Sequence, residues 1–273
     1  MKKKIRNILM LIFFVSFLVS AWHVYNIKKD YKAGSESYAS LEQYISFEDT
    51  EPTIATNEVP ATLHTEPTET VSTISDDTKW PNINFAALSE INQDIVGWLY
   101  IEGTEINYPV VQGTDNDYYL RHLFDGTYNN AGCLFLDSTS ESDFTEKNNI
   151  IYGHHMKNGT MFYDLKEYKD QSFYDEHAVA LLVTPTNKYK IHFFSGYVSA
   201  TSASAWDIDF SDVGYELWLQ ELLDKSCFTA VVQPTTEDLV ITLSTCSYEF
   251  NNARFVLHGI LQDNEAELAT ETD

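Results

Sequence analysis

The stretch Asp238–Leu261, DLVITLSTCSYEFNNARFVLHGIL, reads as two strands joined by a short loop. Leu239–Thr245 and Arg254–Leu261 are rich in β-branched and apolar residues, and Asn251-Asn252 between them is a turn signal. Side chains of an extended strand point alternately to opposite faces. Leu239, Ile241, Leu243 and Thr245 therefore share one face, and Val240, Thr242, Ser244 and Cys246 the other. A short loop between antiparallel strands brings the two loop-proximal ends together. Cys246 and Arg254 are thus expected side by side.

Upstream, short apolar runs punctuated by Gly, Pro, Asn and Asp continue the pattern. Strands are expected at Trp98–Ile101, Tyr108–Val111, Cys133–Leu136, Asn149–Tyr152, Ala178–Thr184, Lys188–Val198 and Phe228–Val232. Phe85, Leu88, Ile91 and Ile95 have helical spacing, with Gly97 as the stop. A second helix fits Tyr215–Leu223, after the capping residues Ser211 and Asp212. Many short strands with few helices imply a mainly β domain, a closed or nearly closed barrel, over residues 80–262.

The flanks differ from this domain. Seven of the 17 Lys and Arg residues precede Ala33, although the chain carries 41 Asp and Glu and a net charge of −24. Such acidity argues against binding to a phosphate backbone. Residues 1–7 are basic, and Ile8–Tyr25, ILMLIFFVSFLVSAWHVY, contains no acid, Lys or Arg. This run exceeds the ~7–15 residues of a signal h-region and reaches the lower limit of a bilayer span. It is read as an uncleaved signal-anchor with its start inside, the alternative being cleavage near Val19-Ser20-Ala21. Either places the remainder outside the cytoplasm. Residues 26–79, rich in Thr, Glu, Ser and Pro, show no sustained hydrophobic period and are expected to be a disordered stalk. Residues 263–273 read as an acidic tail.

Three cysteines are too few for a disulfide scaffold. Cys133 and Cys227 are expected in the core, a bond between them being the alternative. Cys246 differs because only Arg121 and Arg254 are arginines beyond the anchor, and one of them falls beside it. A guanidinium favours thiolate and can hold an oxyanion; the competing reading is an inert cysteine beside a solvated arginine. The missing proton carrier is sought at His154 and His155, just past a strand and Gly153. Neighbouring residues of an extended chain point apart, so one of the two is expected to face the thiol. A Cys–His pair is the minimum for nucleophilic acyl transfer. No HExxH or CxxC spacing accompanies these residues, and no metal or other cofactor is expected.

Tyr152-Gly153-His154, Leu243-Ser244-Thr245-Cys246 and Arg254 together resemble the His, Cys and Arg of the sortases. The run from Asn82 to His122, NINFAALSEINQDIVGWLYIEGTEINYPVVQGTDNDYYLRH, and the segment Met156–Phe162 are similar to class B members in particular. The resemblance implies an eight-stranded β-barrel and a membrane-held cysteine transpeptidase of Gram-positive cells. It implies that Cys246 attacks a Thr carbonyl in the C-terminal Pro-x-Thr-type sorting motif of a secreted protein, forming a thioester. His154 would carry the proton, Arg254 would hold the oxyanion, and a peptidoglycan amine would accept the acyl group. Ser244, Tyr152, Asn116 and Leu120 match substrate-groove positions. The additional cysteines depart from a pattern in which the active cysteine is often the single one. Two rival functions remain open: a hydrolytic cysteine protease and a non-catalytic tethered binding module.

Overall fold

The computed structural model describes residues 2–47 and 78–264. Helix α1 (Lys2–Ala39) runs into a 3-10 turn at Ser40–Tyr44 and strand β1 (Ile45–Phe47), which pairs with β2 (Pro81–Ile83). Helix α2 (Phe85–Ile91) then leads into β3 (Ile95–Tyr100), β4 (Asn107–Val111), β5 (Leu134–Leu136) and β6 (Asn148–Tyr152). The short α3 (Gln171–Glu176) precedes β7 (Val179–Val183) and β8 (Lys188–Ala200). Helix α4 (Asp212–Lys225) comes before the last pair, β9 (Leu239–Cys246) and β10 (Ala253–Asp263).

Eight of these strands close a barrel in the order β10-β8-β7-β3-β4-β5-β6-β9. The expected mainly β barrel is the fold that forms. Two of its seams, β4–β5 and β6–β9, are parallel. The alternation read from β9 sorts its side chains correctly. Ile241 and Leu243 enter the barrel interior with Phe255 and Leu257. Val240 and Val256 lie outside, under Tyr215, Trp218 and Leu222 of α4. At roughly 25 cal/mol per Å2 of apolar surface, both faces of this hairpin favour one register.

Four expectations need correction. Helix α2 stops at Ile91 rather than running to Gly97. Asn92 is extended; its side-chain oxygen accepts from Asp94 N at 2.9 Å, and its Nδ2 donates to the Phe124 carbonyl at 2.8 Å. Ile95 is buried as predicted, but as the first residue of β3. No strand forms at Phe228–Val232. Its amides turn to side chains instead, Thr229 N to Gln171 Oε1 at 2.7 Å and Val231 N to Tyr174 OH at 3.1 Å, while Phe228 stacks on Tyr174. Cys227 is exposed, Cys133 is buried, and the three cysteines are unpaired.

The fourth correction concerns the stalk. Residues 26–47 are folded against the barrel, whereas 48–77 lie outside the described residues. Tyr31, Gly34, Tyr38 and Leu41 recur at helical spacing and meet the barrel. The Tyr38 hydroxyl donates to the Gly132 carbonyl and its ring packs edge-on against Tyr108. A Cβ at Gly34 would lie 3.2 Å from Asn129 Oδ1 and 3.3 Å from Ala131 Cβ, so glycine permits this close approach. Asn129 Nδ2 caps the contact at the Asp30 carbonyl, 2.9 Å away. Four contacts diluted among Lys, Ser and Glu leave little trace in composition. Nearer the N-terminus, α1 is long and apolar enough to cross a membrane by length and composition, and residues such as Phe13 and Trp22 are exposed.

Candidate active site

Parallel pairing of β6 with β9 puts the C-terminal ends of both strands at one rim of the barrel. Tyr152 is in register with Ser244, and Gly153 N extends the ladder to the Ser244 carbonyl at 3.1 Å. His154 follows directly. Antiparallel β10 begins at the same rim, where Arg254 is the register partner of Cys246. The turn between them closes through Ser247 N to the Ala253 carbonyl at 2.9 Å, with Asn252 left-handed at φ 61°. Asn is among the few residues that tolerate this conformation. Lys169 pairs with Glu249 in this loop; that cation and the Ser247 hydroxyl hold the Glu249 carboxyl down at about 2.

A groove of about 490 Å3 runs along the rim. Cys246, His154 and Arg254 line it together, as do Ser244, Tyr152, Asn116 and Leu120. All seven residues singled out from the sequence thus face one concavity. His155 does not line it; its ring sits between Tyr163 and Tyr248.

The imidazole of His154 is held by Nε2, which donates to the Leu120 carbonyl at 2.7 Å. A carbonyl only accepts, so Nε2 carries the hydrogen and Nδ1 is left for proton exchange. Burial lowers the His154 pKa, the Leu120 bond opposes that, and the charges of Arg121 and Arg254 lower it further. The ring is therefore neutral at rest near pH 7. Gly153 permits this placement: a Cβ there would fall 2.4 Å from Leu134 Cδ2 and 2.6 Å from Phe162 Cδ2. One N–H of Arg254 donates to the Ala253 carbonyl at 3.0 Å, which aims the guanidinium.

The groove wall carries an organiser that sequence reasoning missed. Asp137, 7% exposed, accepts from Asn116 Nδ2 and from the Tyr152 hydroxyl, each at 2.9 Å. Thr139 adds its backbone N and its hydroxyl. Burial would raise the Asp137 pKa, but these bonds outweigh it and hold the carboxyl below its ordinary value. Asp137-Ser138-Thr139 reads in sequence as a turn, and nothing local announces that Tyr152 and Asn116 converge on it. Trp206 was also missed; its Nε1 donates to Ser244 Oγ at 3.2 Å on the groove floor. Thr245 Oγ1 is buried there without a partner.

Comparison with known proteins now decides the family. A family model described as the sortase domain matches residues 99–262. The chain is 38% identical over 177 residues to sortase B of Listeria monocytogenes, covering 64% of this chain and 72% of that protein. The chain belongs to the sortase family, class B. The 2.0 Å crystal structure of Staphylococcus aureus sortase B aligns at 36% identity with a TM-score of 0.63, covering 66% of this chain and 86% of that one. A crystal structure of sortase B complexed with triglycine aligns with the same TM-score, 0.63, and the same 36% identity, covering 66% of this chain and 86% of that one. This sortase is accordingly a cysteine transpeptidase, with the barrel of its relatives.

Proposed function

We propose that this sortase joins secreted proteins to the cell wall through a thioester on Cys246. The observation that supports this reading is the single groove on which thiol, imidazole and guanidinium converge. In the first half-reaction Cys246 Sγ passes its proton to His154 and attacks the Thr carbonyl of a sorting motif, and Arg254 holds the carbonyl oxygen as it becomes an oxyanion. The C–N bond breaks, and the departing amine takes a proton from His154. An amine acceptor then attacks the thioester and gives a proton to His154. The C–S bond breaks, Cys246 leaves as thiolate and takes that proton from His154, and an amide has replaced an amide. Bond energy is conserved through the thioester, so no nucleotide is consumed.

Asn116, Leu120, Tyr152 and Ser244 form the donor-peptide subsite. Its mixed character, ring and leucine beside amide and hydroxyl, suits a short extended peptide with a Pro-x-Thr core. Sortase B has been crystallised with triglycine, and a free peptide amine in that complex supports an amine on a peptidoglycan cross-bridge or stem as acceptor. The N-terminal run 8–25 serves as a single-pass signal-anchor with residues 1–7 inside, and the barrel faces outward on a Gram-positive cell.

Transfer and hydrolysis are separated by one assay. The full chain in detergent is given a Pro-x-Thr peptide with and without triglycine. Diversion of product from free acid to the triglycine amide is expected; free acid alone at every triglycine concentration would identify a hydrolytic protease.

A further inference from the structure

His154 has two sides. One lines the groove of Cys246; the other lines a separate cleft of about 570 Å3. The walls of this cleft come from α1, through Asn26, Asp30 and Tyr31, and from the barrel, through Asn130, His155 and Tyr248. The Asp30 carboxylate is fixed in place: Asn130 Nδ2 donates to its Oδ2 at 2.8 Å, and Asn129 Nδ2 donates to its backbone carbonyl at 2.9 Å. His155 Nδ1 is buried without a hydrogen-bond partner. Lys157 also lines the cleft, but it is exposed and its charge is met by solvent.

We infer that this cleft is where the amine acceptor binds, with Asp30 of α1 as the group that takes its ammonium. The inference rests on the transpeptidase reading above. The donor acyl group fills the groove on one side of the imidazole. The amine must reach the thioester carbon and surrender its proton to that same imidazole, so it arrives on the other side. A fixed carboxylate recognises a primary ammonium and positions it; the ammonium gives up one proton to solvent to become the free amine, and a second passes to His154 as the nitrogen attacks, the C–S bond breaks and the amide forms. The His155 ring bounds the same cleft and so shapes the space such a ligand takes. The segment expected to be a passive stalk thereby supplies one wall of the acceptor site.

The test uses the full chain in detergent, a Pro-x-Thr donor peptide and triglycine as the acceptor probe. Two quantities are read: the rate of adduct formation on Cys246, and the triglycine concentration that diverts half the product to amide. Asp30→Asn is expected to raise that concentration about tenfold, the scale of one charge-assisted hydrogen bond. Asp30→Glu should recover part of the loss, and Asn26→Trp, which fills the cleft, should raise the concentration as well. Adduct formation is the internal reference and should shift far less. An unchanged half-diversion concentration in both Asp30→Asn and Asn26→Trp overturns the assignment, as does a fall in the rate of adduct formation as large as the rise in that concentration. Absence of any adduct in the unsubstituted chain is a different failure: it removes the transpeptidase chemistry, and the acceptor site with it.

Discussion

Arg254 and Cys246 face each other across the β9–β10 ladder as direct register partners, on the outer face of the barrel. Their proximity is thus set by backbone hydrogen bonds rather than by a flexible loop. Sites carried on paired strands hold their geometry better than sites on loops. Arg254→Ala is expected to lower kcat roughly 10²–10³-fold, the usual cost of one oxyanion donor. Arg254→Lys should recover little, because an ammonium lacks the planar fork of donors. Steady-state kinetics on the donor peptide check this, and a change confined to KM would remove Arg254 from the oxyanion role.

His154 and His155 should behave differently. His154→Ala is expected to cost roughly 10²–10⁴-fold in kcat/KM for transfer, the range of general acid–base catalysis. His155→Ala should leave adduct formation on Cys246 within about tenfold and weaken triglycine use. Equal losses in both halves of the reaction would contradict the assignment. Burial and the two neighbouring arginines lower the His154 pKa. Its neutral, proton-accepting form therefore persists below the ordinary histidine value of about 6.5. The acid limb of the aminolysis profile should lie below that pH.

Asp137 acts through Tyr152 and Asn116, and a double-mutant cycle exposes this. Asp137→Asn and Tyr152→Phe should each raise the donor-peptide KM about tenfold. The double variant should fall well short of a hundredfold, because contacting residues couple by about 0.5–3 kcal/mol. Independent, multiplicative effects would mean that Asp137 does not position the Tyr152 hydroxyl.

Gly153→Ala tests the packing behind the imidazole. The added methyl would meet Leu134 and Phe162, both fully buried, and neither has space to retreat. Overpacking of this kind costs about 1–3 kcal/mol. Denaturant unfolding should show that loss together with lower kcat; unchanged stability would mean the ring and leucine move aside freely.

The strand pair nearest the site also makes stability depend on pH. His258 on β10 is fully buried, its Nδ1 donating to Thr242 Oγ1 at 2.8 Å and its Nε2 unpartnered. Burial, with a smaller contribution from the Lys225 charge, pushes its pKa down to about 3. The unfolded chain binds a proton near pH 6.5 and the folded chain does not. The neutral ring therefore stabilises the fold fully above pH 6.5, and this is lost as pH falls towards 3, at up to about 1.4 kcal/mol per pH unit. Thermal midpoints measured between pH 7 and 4 should fall more steeply for the natural chain than for His258→Phe; equal slopes would place the acid sensitivity elsewhere.

Much of this was legible because it was local. The β9–β10 hairpin follows from alternation and an Asn-Asn turn, and the Cys246–Arg254 pairing follows from the hairpin. The arrival of His154 at the same rim does not, because β6 and β9 pair in parallel although they lie far apart along the chain. Only the resemblance of Tyr152-Gly153-His154 to a known family joined them. Asp137 stayed hidden since its value lies in two distant partners. The docking of α1 stayed hidden because Tyr31, Gly34, Tyr38 and Leu41 are spread through a polar stretch. Ile91 and Ile95 have the spacing of one helix face, yet Asn92 ends the helix between them, and both periods would have buried Ile95.

The central claim is that the sulfur of Cys246 carries the acyl group. Intact-mass measurement of the full chain, mixed with a Pro-x-Thr peptide and quenched in acid before acceptor is added, tests it directly. A mass gain equal to the acyl portion of the peptide, mapped to Cys246, absent in Cys246→Ala and released by triglycine, is the result expected. Peptide cleavage with no adduct on Cys246, or an adduct that persists in Cys246→Ala, would contradict it.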